Sequence, residues 1–313
     1  MTRYVIQRLL ATVPVLVLIA MITFGILHLA PGDPVAVLLG DEATAEEVAQ
    51  MRTKMGLDRP IYVQFGLWFF QVLQGDLGKS VFSGQPVIEA ILERLEPTLA
   101  LAVFSAILAV LIAIPLGVLA AWRANTWVDR LAMVLSVLGF SIPSFWLGIN
   151  LIFAFGVQFR LLPVMGYASL SEGLGPFVKH LILPTLTLGL IHAALIARMT
   201  RASMLEILRE DYIRTARAKG LKERPVLIRH ALRNAAISII TIVGLSFAGL
   251  VAGVVVTETV FAIPGVGRLV VDAVLHRDYP IIQGAILLVG SLYVFINLAV
   301  DLLYTYFDPR VKY

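Results

Sequence analysis

Six long apolar runs follow one another along the chain, separated by polar segments. They cover residues 9–29, 99–122, 131–157, 181–197, 235–256 and 281–306. A helix needs about 20 apolar residues to cross the hydrocarbon core of a bilayer, and these runs reach or approach that length. The runs are continuous rather than alternating, and backbone polar groups must be paired in lipid, so the pattern predicts helices and not a β-barrel. The expected fold is an all-α membrane protein with six transmembrane helices.

The first long polar segment, residues 31–98, predicts a small helical subdomain outside the membrane. Thr44 and Glu47 have the spacing of a capping box, and Gly56 can end the helix that they begin. A second helix over 62–73 carries an aromatic cluster that favours a packed core or an interfacial belt over a ligand site. The members of that cluster are Phe65, Trp68, Phe69 and Phe70.

Pro86 can open a third helix in this subdomain. The apolar residues of that helix fall on one face by their spacing: Ile88, Ile91, Leu92 and Leu95. The pattern therefore divides the chain into an N-terminal transmembrane helix (1–30), an outer helical subdomain (31–98) and a five-helix membrane core (99–313).

Composition agrees with a membrane protein. Hydrophobic residues make up 59% of the chain, charged residues 15%, and the mean hydropathy is +0.88, whereas soluble domains have about 25% charged residues. The chain has no cysteine, which excludes a disulfide framework and a thiolate metal site. Arg3 and Arg8 precede the first apolar run, but no small-residue cleavage site follows it, so we expect a retained anchor rather than a signal peptide.

The distribution of basic residues predicts the topology. Lys and Arg concentrate in cytoplasmic loops. With both termini in the cytoplasm, the cytoplasmic segments hold sixteen of the twenty-five Lys and Arg residues. The segment 198–233 alone holds ten, against four acidic residues. We therefore expect a multi-pass protein in membrane lipid with both ends inside.

The middle of this basic segment, DYIRTARAKGL at 211–221, predicts one short capped helix of about eight residues. Asp211 suits the N-cap and the positive end of the helix dipole, and Lys219 complements the other end. Gly220 suits the left-handed position that follows a helix, and Leu221 comes directly after it. Four residues share one face: Tyr212, Thr215, Ala216 and Lys219.

These features favour a docking element for a soluble partner. Ala216 and Ala218 are small enough to let a partner surface approach the backbone. Arg214 and Arg217 can reach acidic groups or phospholipid headgroups. The alternative is a positive loop that only orients the protein in the membrane, and the basic charge taken by itself favours that alternative.

Other segments offer weaker candidates for chemistry. The GDLGKS sequence at 75–80 ends like a phosphate-binding loop, but the required first glycine is Leu73, so nucleotide binding there is not expected. Glu258, at the end of the fifth apolar run, either contacts a substrate or bonds the turn at 264–267. The sequence has no catalytic dyad, no paired histidines at metal-ligand spacing and no nucleic-acid-binding motif. The chain is therefore expected to lack an energy source of its own.

Several short segments match the sequence motifs of a known protein family, and they occur in the same order along nearly the whole chain. They are LAPGDP (29–34), GDLGKS (75–80), SIPSFW (141–146), DYIRTARAKGL (211–221), HALRN (230–234), ETVFAIPGVGR (258–268), RDYP (277–280) and DPR (308–310). Together they resemble the dipeptide/oligopeptide permease family of bacterial ABC importers, in which 214–220 is similar to the EAA loop. Arg214 and Thr215 stand where the general pattern has Glu-Ala, and Arg233 stands where it often has Pro. Thr215 and Arg233 fit the peptide-type branch, but no contact of the missing Glu is carried over.

The resemblance implies a type I ABC importer permease fold in a bacterial inner membrane. It implies that the EAA helix sits in a groove of a cytoplasmic ATPase, and that two ATPases with ATP and Mg move a pair of permeases between inward-open and outward-open states. A second permease, giving a heterodimer, and a solute-binding protein complete the assembly. The implied cargo is a di- or oligopeptide, or else a nickel chelate, glutathione or a sugar. No cofactor, catalytic activity or nucleic-acid partner is implied for this chain.

The resemblance also assigns site residues. Coupling to the ATPase would fall to Asp211, Tyr212, Arg214, Thr215, Ala216, Arg217, Lys219, Gly220 and Leu221. The translocation path would include Ser141, Pro143, Ser144 and Glu258. Two interpretations that place the chain in another functional class stay open: an ion-coupled secondary transporter, and a membrane scaffold without transport activity. The first would normally need ionisable residues within the membrane, and the apolar runs hold few.

Overall fold

The computed structural model describes residues 2–29, 44–54 and 56–307, and over these ranges the named secondary structure is helical. The helices of the first half are α1 (Thr2–Leu29), α2 (Ala45–Lys54), α3 (Ile61–Leu73), α4 (Val87–Leu92), α5 (Leu95–Trp122), α6 (Trp127–Ser141) and α7 (Ser144–Leu151). Those of the second half are α8 (Leu174–Ile207), α9 (Asp211–Ala218), α10 (Arg233–Val260), α11 (Val266–His276) and α12 (Tyr279–Phe307). Residues 30–34 and 308–310, which belong to two of the motif segments, lie outside the described residues.

The membrane-spanning helices agree with the apolar pattern. Five helical segments are long and apolar enough to cross a membrane: Ile6–Ile26, Val87–Trp122, Leu174–Ile207, Glu223–Val251 and Tyr279–Ala299. The pair Trp127–Ser141 and Ser144–Gln158 passes the same test when it is taken as one broken span, which gives the predicted six among the described residues.

The third apolar run does not form the single helix predicted over 131–157. The chain bends by 100° between α6 and the following helix, which continues from α7 into a π-helical stretch, Ile152–Gln158. Ile142 is extended, with φ −78° and ψ 126°. Proline has no amide hydrogen and disfavours the α conformation in the residue before it, so Pro143 breaks the helix at this point. The expected irregularity at Ser141, Pro143 and Ser144 is confirmed.

The contacts divide the chain into two compact units. The first contains 96–267 and the end of α12 from residue 296. In its core, α5 and α8 meet through small residues, including Ala109, Ala113, Ala193 and Ala197, and Ile242 and Val243 of α10 pack against them. At Gly117 on α5, an added Cβ would lie 2.7 Å from the carbonyl oxygen of Ala197. Small side chains let helix backbones approach closely, which is a common way for membrane helices to pack.

The second unit contains Thr2–Leu95 and Arg268–Phe295. The predicted capping box is confirmed, because the Thr44 amide donates to Glu47 Oε2 at 2.9 Å and the Glu47 amide donates to Thr44 Oγ1 at 3.3 Å. Gly56 has φ +69°, as a helix-ending glycine should. The aromatic cluster also packs as expected, with the ring of Phe24 on α1 lying 5.6 Å from that of Trp68 on α3.

The third predicted helix of the outer subdomain differs from expectation. Pro86 does precede it, but the buried residues of α4 are Val87, Ala90 and Ile91, while Leu92 is exposed. α4 ends at Leu92 and Leu95 already belongs to α5, so the four predicted residues do not share one helix. The division of the chain at residues 30 and 98 stays a prediction.

Helical structure also enters the basic segment 198–233 from both sides. α8 continues to Ile207, well past the end of the apolar run at 197, because Thr200 and Met204 are buried and extend its packed face. On the other side, a turn at Glu223–Pro225 and a π-helical stretch, Val226–Leu232, lead into α10. The segment that connects α8 with this turn is therefore short, and α9 occupies most of it.

Candidate functional site

α9 is the eight-residue helix that the sequence predicts within 211–221. The prediction that Asp211 caps it is wrong, because Glu210 occupies the N-cap position, with φ −65° and ψ 145°, and makes no side-chain capping bond. The carbonyl of Glu210 accepts from the amides of Ile213 and Arg214, which makes Asp211 the first helical residue. From there its carboxylate still complements the helix dipole, and it accepts from Arg214 Nη1 at 3.1 Å.

The other end of α9 closes as predicted. Gly220 has φ +79°, the left-handed conformation that a residue with a Cβ adopts only with strain. Its amide donates to the carbonyl of Arg217 at 2.9 Å, and the amide of Leu221 donates to the carbonyl of Ala216 at 3.3 Å. These two bonds form a Schellman motif, which satisfies the last carbonyls of the helix.

A single buried side chain fixes α9 to the rest of its unit. Ile213 has 0% exposure and packs in a cluster with Met204 of α8 and with Val226 and Ala231 of the π-helical stretch. Ala216, one turn later, packs against the same cluster and is half-buried. We call Ile213, Ala216 and this cluster the α9 anchor. Sequence reasoning missed Ile213, although it is the only large aliphatic residue in the helix.

The face of α9 that turns away from the anchor is exposed. It carries Tyr212, which is 42% exposed, and Thr215, and Lys219 follows at the C-cap. Ala216 lies four residues after Tyr212, as the predicted shared face requires, but it is half-buried and packs against the anchor, so it lies where this face meets the anchor. Burial raises the pKa of the Tyr212 hydroxyl, a hydrogen bond with Asn234 acts in the opposite direction, and the nearby Glu210 carboxylate raises it further.

The two arginines of α9 have partners within the chain. Arg217 donates from Nε to Glu223 Oε1 at 2.9 Å and from Nη2 to Glu223 Oε2 at 3.3 Å, which ties the helix to the turn before the π-helical stretch. Arg214 pairs with Asp211, whose side chain is 94% exposed. The exposed face therefore carries charges that are paired locally and remain accessible to a partner.

Three candidates for the translocation path lie together at the bend between α6 and α7. Ser141 ends α6 and donates its hydroxyl to the carbonyl of Val137 at 2.8 Å. Pro143 precedes α7 and Ser144 begins it. Ser141 and Pro143 are exposed, and Ser144 is half-buried. Their role in the path stays a prediction.

Glu258, the fourth candidate, lies in the last turn of α10 with 0% exposure. Its Oε1 accepts from the hydroxyl of Thr98 at 2.6 Å, and the same hydroxyl oxygen accepts from the amide of Val266 at 2.8 Å. The amide of Ile263 donates to the carbonyl of Glu258 at 2.8 Å. We call residues 258–267 together with Thr98 the Glu258 turn.

Two glycines of this turn make room for the carboxylate. A Cβ at Gly265 would collide with the Glu258 carboxylate, and one at Gly267 would lie 2.8 Å from Glu258 Oε2 and 2.7 Å from the Cα of Val255. Of the two roles that the sequence leaves open for Glu258, bonding to the following turn matches these contacts. Its assignment to the translocation path stays a prediction.

The segment that resembles a phosphate-binding loop has a structural role. Gly78 has φ +83°, and its amide donates to Asp76 Oδ1 at 2.9 Å. Ser80 donates its hydroxyl to the buried Asp278 at 2.5 Å, so the motif segments 75–80 and 277–280 meet within the second unit. The serine that would bind a phosphate in a nucleotide site is thus bonded to a carboxylate of the chain itself.

The bundle of spans, the broken third span and the short capped helix between α8 and α10 define a multi-span permease of a transport system. The chain belongs to the family of binding-protein-dependent transport system inner membrane components. The model of that family matches residues 113–313, and the model of the family's N-terminal region matches residues 1–102.

Relatives are similar over their full lengths. The "Probable peptide ABC transporter permease protein y4tP" of Sinorhizobium fredii is 51% identical over 310 residues, covering 99% of each chain. The dipeptide transport system permease protein DppB of Alkalihalophilus pseudofirmus is 41% identical, and the glutathione transport system permease protein GsiC of Salmonella typhimurium is 46% identical, each over 100% of both chains.

A solved structure supports the same fold. A chain of the MetNI methionine ABC transporter in an inward-facing conformation superposes with a TM-score of 0.60 at 21% identity. The match covers 71% of this chain and 97% of that chain. The predicted type I ABC importer permease fold is confirmed.

Proposed function

We propose that this chain is one permease subunit of an ABC importer that moves short peptides across the bacterial inner membrane into the cytoplasm. Relatives whose names specify peptide, dipeptide or glutathione transport support this cargo class. Glutathione is itself a tripeptide, so the three names describe related chemistry. The cargo is delivered by a separate solute-binding protein on the outer face.

The coupling site of the importer is α9. The observation that carries this assignment is a short, capped helix with an exposed polar face that is held by one buried isoleucine, Ile213. Such a helix can enter a groove on a partner and still transmit force to α8 and α10 through the α9 anchor. The partner is a cytoplasmic ATPase subunit.

The complete transporter contains a second permease, which makes a heterodimer, together with two ATPase subunits that hold ATP and Mg. Both termini of this chain and α9 face the cytoplasm. The excess of Lys and Arg in 198–233 supports that orientation, because basic residues concentrate on the cytoplasmic side.

A pair of matched glycine variants tests the coupling role. Gly220 and Gly84 both have positive φ, +79° and +69°, and an added Cβ would meet no atom within 4 Å at either position. Gly220→Val and Gly84→Val therefore impose similar backbone strain at different places. We expect both variants to reach the membrane, and only Gly220→Val to lose co-purification of the ATPase subunits and cargo-stimulated ATP hydrolysis in proteoliposomes. Equal ATPase retention by both variants would contradict the coupling role of α9.

The cargo assignment is tested with the solute-binding protein of this transporter. Proteoliposomes that contain the full transporter should take up a labelled dipeptide or glutathione only when binding protein and ATP are both supplied. Uptake driven by an ion gradient without ATP would favour the secondary-transporter reading instead. Failure of any ATPase to co-purify with the wild-type chain would contradict the importer assignment altogether.

A further inference from the structure

A partly buried ion pair joins α6 to the end of α8 that lies nearest to α9. Arg201 of α8 donates from Nε to Asp129 Oδ1 at 2.5 Å and from Nη2 to Asp129 Oδ2 at 2.7 Å. Asp129 is 3% exposed and also accepts from the amide of Asn125 at 2.9 Å. Two-pronged bonds between a guanidinium and a carboxylate fix both distance and orientation, so this pair resists sliding of one helix past the other.

The same end of α8 also holds α9. Met204 lies one turn after Arg201 and has 0% exposure in the α9 anchor, where it packs with Ile213. Within about 4.5 Å along the helix axis, α8 therefore carries one contact to α9 and one to α6. A displacement of α9 that moves Met204 must also move Arg201, because a single helical turn separates them.

α6 follows α8 along its length as far as the bend. At the far end of α6, an added Cβ on Gly139 would lie 3.1 Å from the Cβ of Ala194 on α8. Nearby, the guanidinium of Arg198 lies 5.7 Å from the ring centroid of Phe140. The bend at Pro143 comes directly after these contacts. α6 is thus held to α8 at both ends, with the ion pair as the charged contact at the end near α9.

We infer that Asp129 and Arg201 are positioning residues that make α6, and with it the bend before α7, follow the movement of α9. This inference rests on the proposed function of α9 as the coupling helix. Without the pair, ATP hydrolysis would still move α9 and the end of α8, but α6 would follow less completely. Hydrolysis would then proceed with less cargo moved for each ATP.

The test uses the full transporter in proteoliposomes, with its second permease, ATPases and binding protein, and measures both ATP hydrolysis and peptide uptake. Arg201→Gln removes the charge, and Asp129→Asn removes the charge while keeping an oxygen for the Asn125 amide. Mutations in a coupling network commonly change coupling by a factor of about ten. We expect uptake per ATP to fall about tenfold in both variants while cargo-stimulated hydrolysis stays within about twofold of wild type.

Three further variants separate positioning from a purely structural role. Arg130→Gln makes the same charge change at an exposed neighbour of Asp129 and should keep the wild-type uptake per ATP. Arg201→Lys keeps the charge but not the two-pronged geometry. Its uptake per ATP should lie between the values of wild type and Arg201→Gln. The reversed pair, Asp129→Arg with Arg201→Asp, should have a higher uptake per ATP than either single change.

The outcomes are distinct. An unchanged ratio of uptake to hydrolysis in Arg201→Gln and Asp129→Asn overturns the inference. So does a parallel fall of uptake, hydrolysis and assembly in every variant, including Arg201→Lys, because that pattern indicates a structural role only. If the wild-type chain assembles with no ATPase, the proposed function itself fails, and the wild-type control reveals this independently of the variants.

Discussion

The two ends of α10 are built in opposite ways. At its C-terminal end, the Glu258 turn packs a fully buried carboxylate against the hydroxyl of Thr98 and two glycines. At its N-terminal end, the α9 anchor holds a short helix through one buried isoleucine, and the charged side chains of that helix are exposed. α10 has 28 residues, so about 42 Å separates the two ends.

The difference separates a part that is held rigidly by buried contacts from a part that meets another molecule in the proposed function. A buried carboxylate is tolerated only when its hydrogen bonds are made, so the Glu258 turn cannot rearrange without a large cost. α9 has little buried surface of its own and can shift as a unit around Ile213. We expect changes at the first end to affect the whole fold, and changes at the second to act locally.

The largest effect is expected for Gly265→Ala in the Glu258 turn. The added methyl group would collide with the Glu258 carboxylate, and overpacking of this kind costs roughly 3 kcal/mol or more. The variant should lose most of its folded, monodisperse protein in detergent and should unfold at a lower temperature. Gly175→Ala is the matched control, because an added Cβ there meets no atom within 4 Å. Equal thermal stability of the two variants would contradict the close packing of the Glu258 turn.

A smaller and local effect is expected for Ile213→Ala. Removing buried aliphatic atoms costs roughly 2 kcal/mol or more, which is about a 30-fold change in the equilibrium for releasing α9. Trypsin cleavage after Arg214, Arg217 and Lys219 should therefore become about 30-fold faster, while the melting temperature changes less than in Gly265→Ala. Ile228→Ala is the control, since Ile228 is 53% exposed. If Ile213→Ala instead destabilised the whole protein as strongly as Gly265→Ala, the proposed contrast between the two ends would fail.

The smallest effect is expected for Arg217→Gln. Both members of the Arg217–Glu223 pair are about two-fifths exposed (39% and 41%), and pairs of that kind contribute about 0.5 kcal/mol. Hydrogen exchange of the α9 amides should become roughly twofold faster, and the difference should vanish in about 1 M salt, where charges are screened within a few ångströms. Arg214→Gln should change exchange even less, because its partner Asp211 is almost fully exposed. An acceleration that persists in high salt would indicate that Arg217 acts through packing rather than charge.

Features that depend on neighbouring residues were predictable from the sequence. The capping box of Thr44 and Glu47, the left-handed Gly220 and the break at Pro143 each follow from local backbone chemistry. The spans could be located because about 20 apolar residues must occur together. The error at Asp211 arose because Asp is a preferred N-cap residue and Glu is not, which favoured Asp211 over the adjacent Glu210.

Features that depend on tertiary contacts were not predictable in the same way. Asp129 and Arg201 are 72 residues apart in sequence, and Thr98 and Glu258 are 160 apart. Nothing local pairs such residues, and in a basic segment each arginine has several acidic candidates. The contact of Ala216 with the α9 anchor was also not predicted, because it depends on the residues of α8, α10 and the π-helical stretch that surround Ile213.

The π-helical stretch Val226–Leu232 has a consequence for how the chain tolerates insertions and deletions. It lies between α9 and α10, and its wider turns hold more residues than an α-helix of the same length. An α-helix turns by about 100° per residue, so losing one residue here would rotate everything before it by about that angle relative to α10. Ile213 would then face away from Ala235 and Ile239, the residues of α10 that lie in the same cluster, although every side chain of α9 would be unchanged. The number of residues in this stretch sets the register between α9 and α10, just as the residues themselves set the contacts.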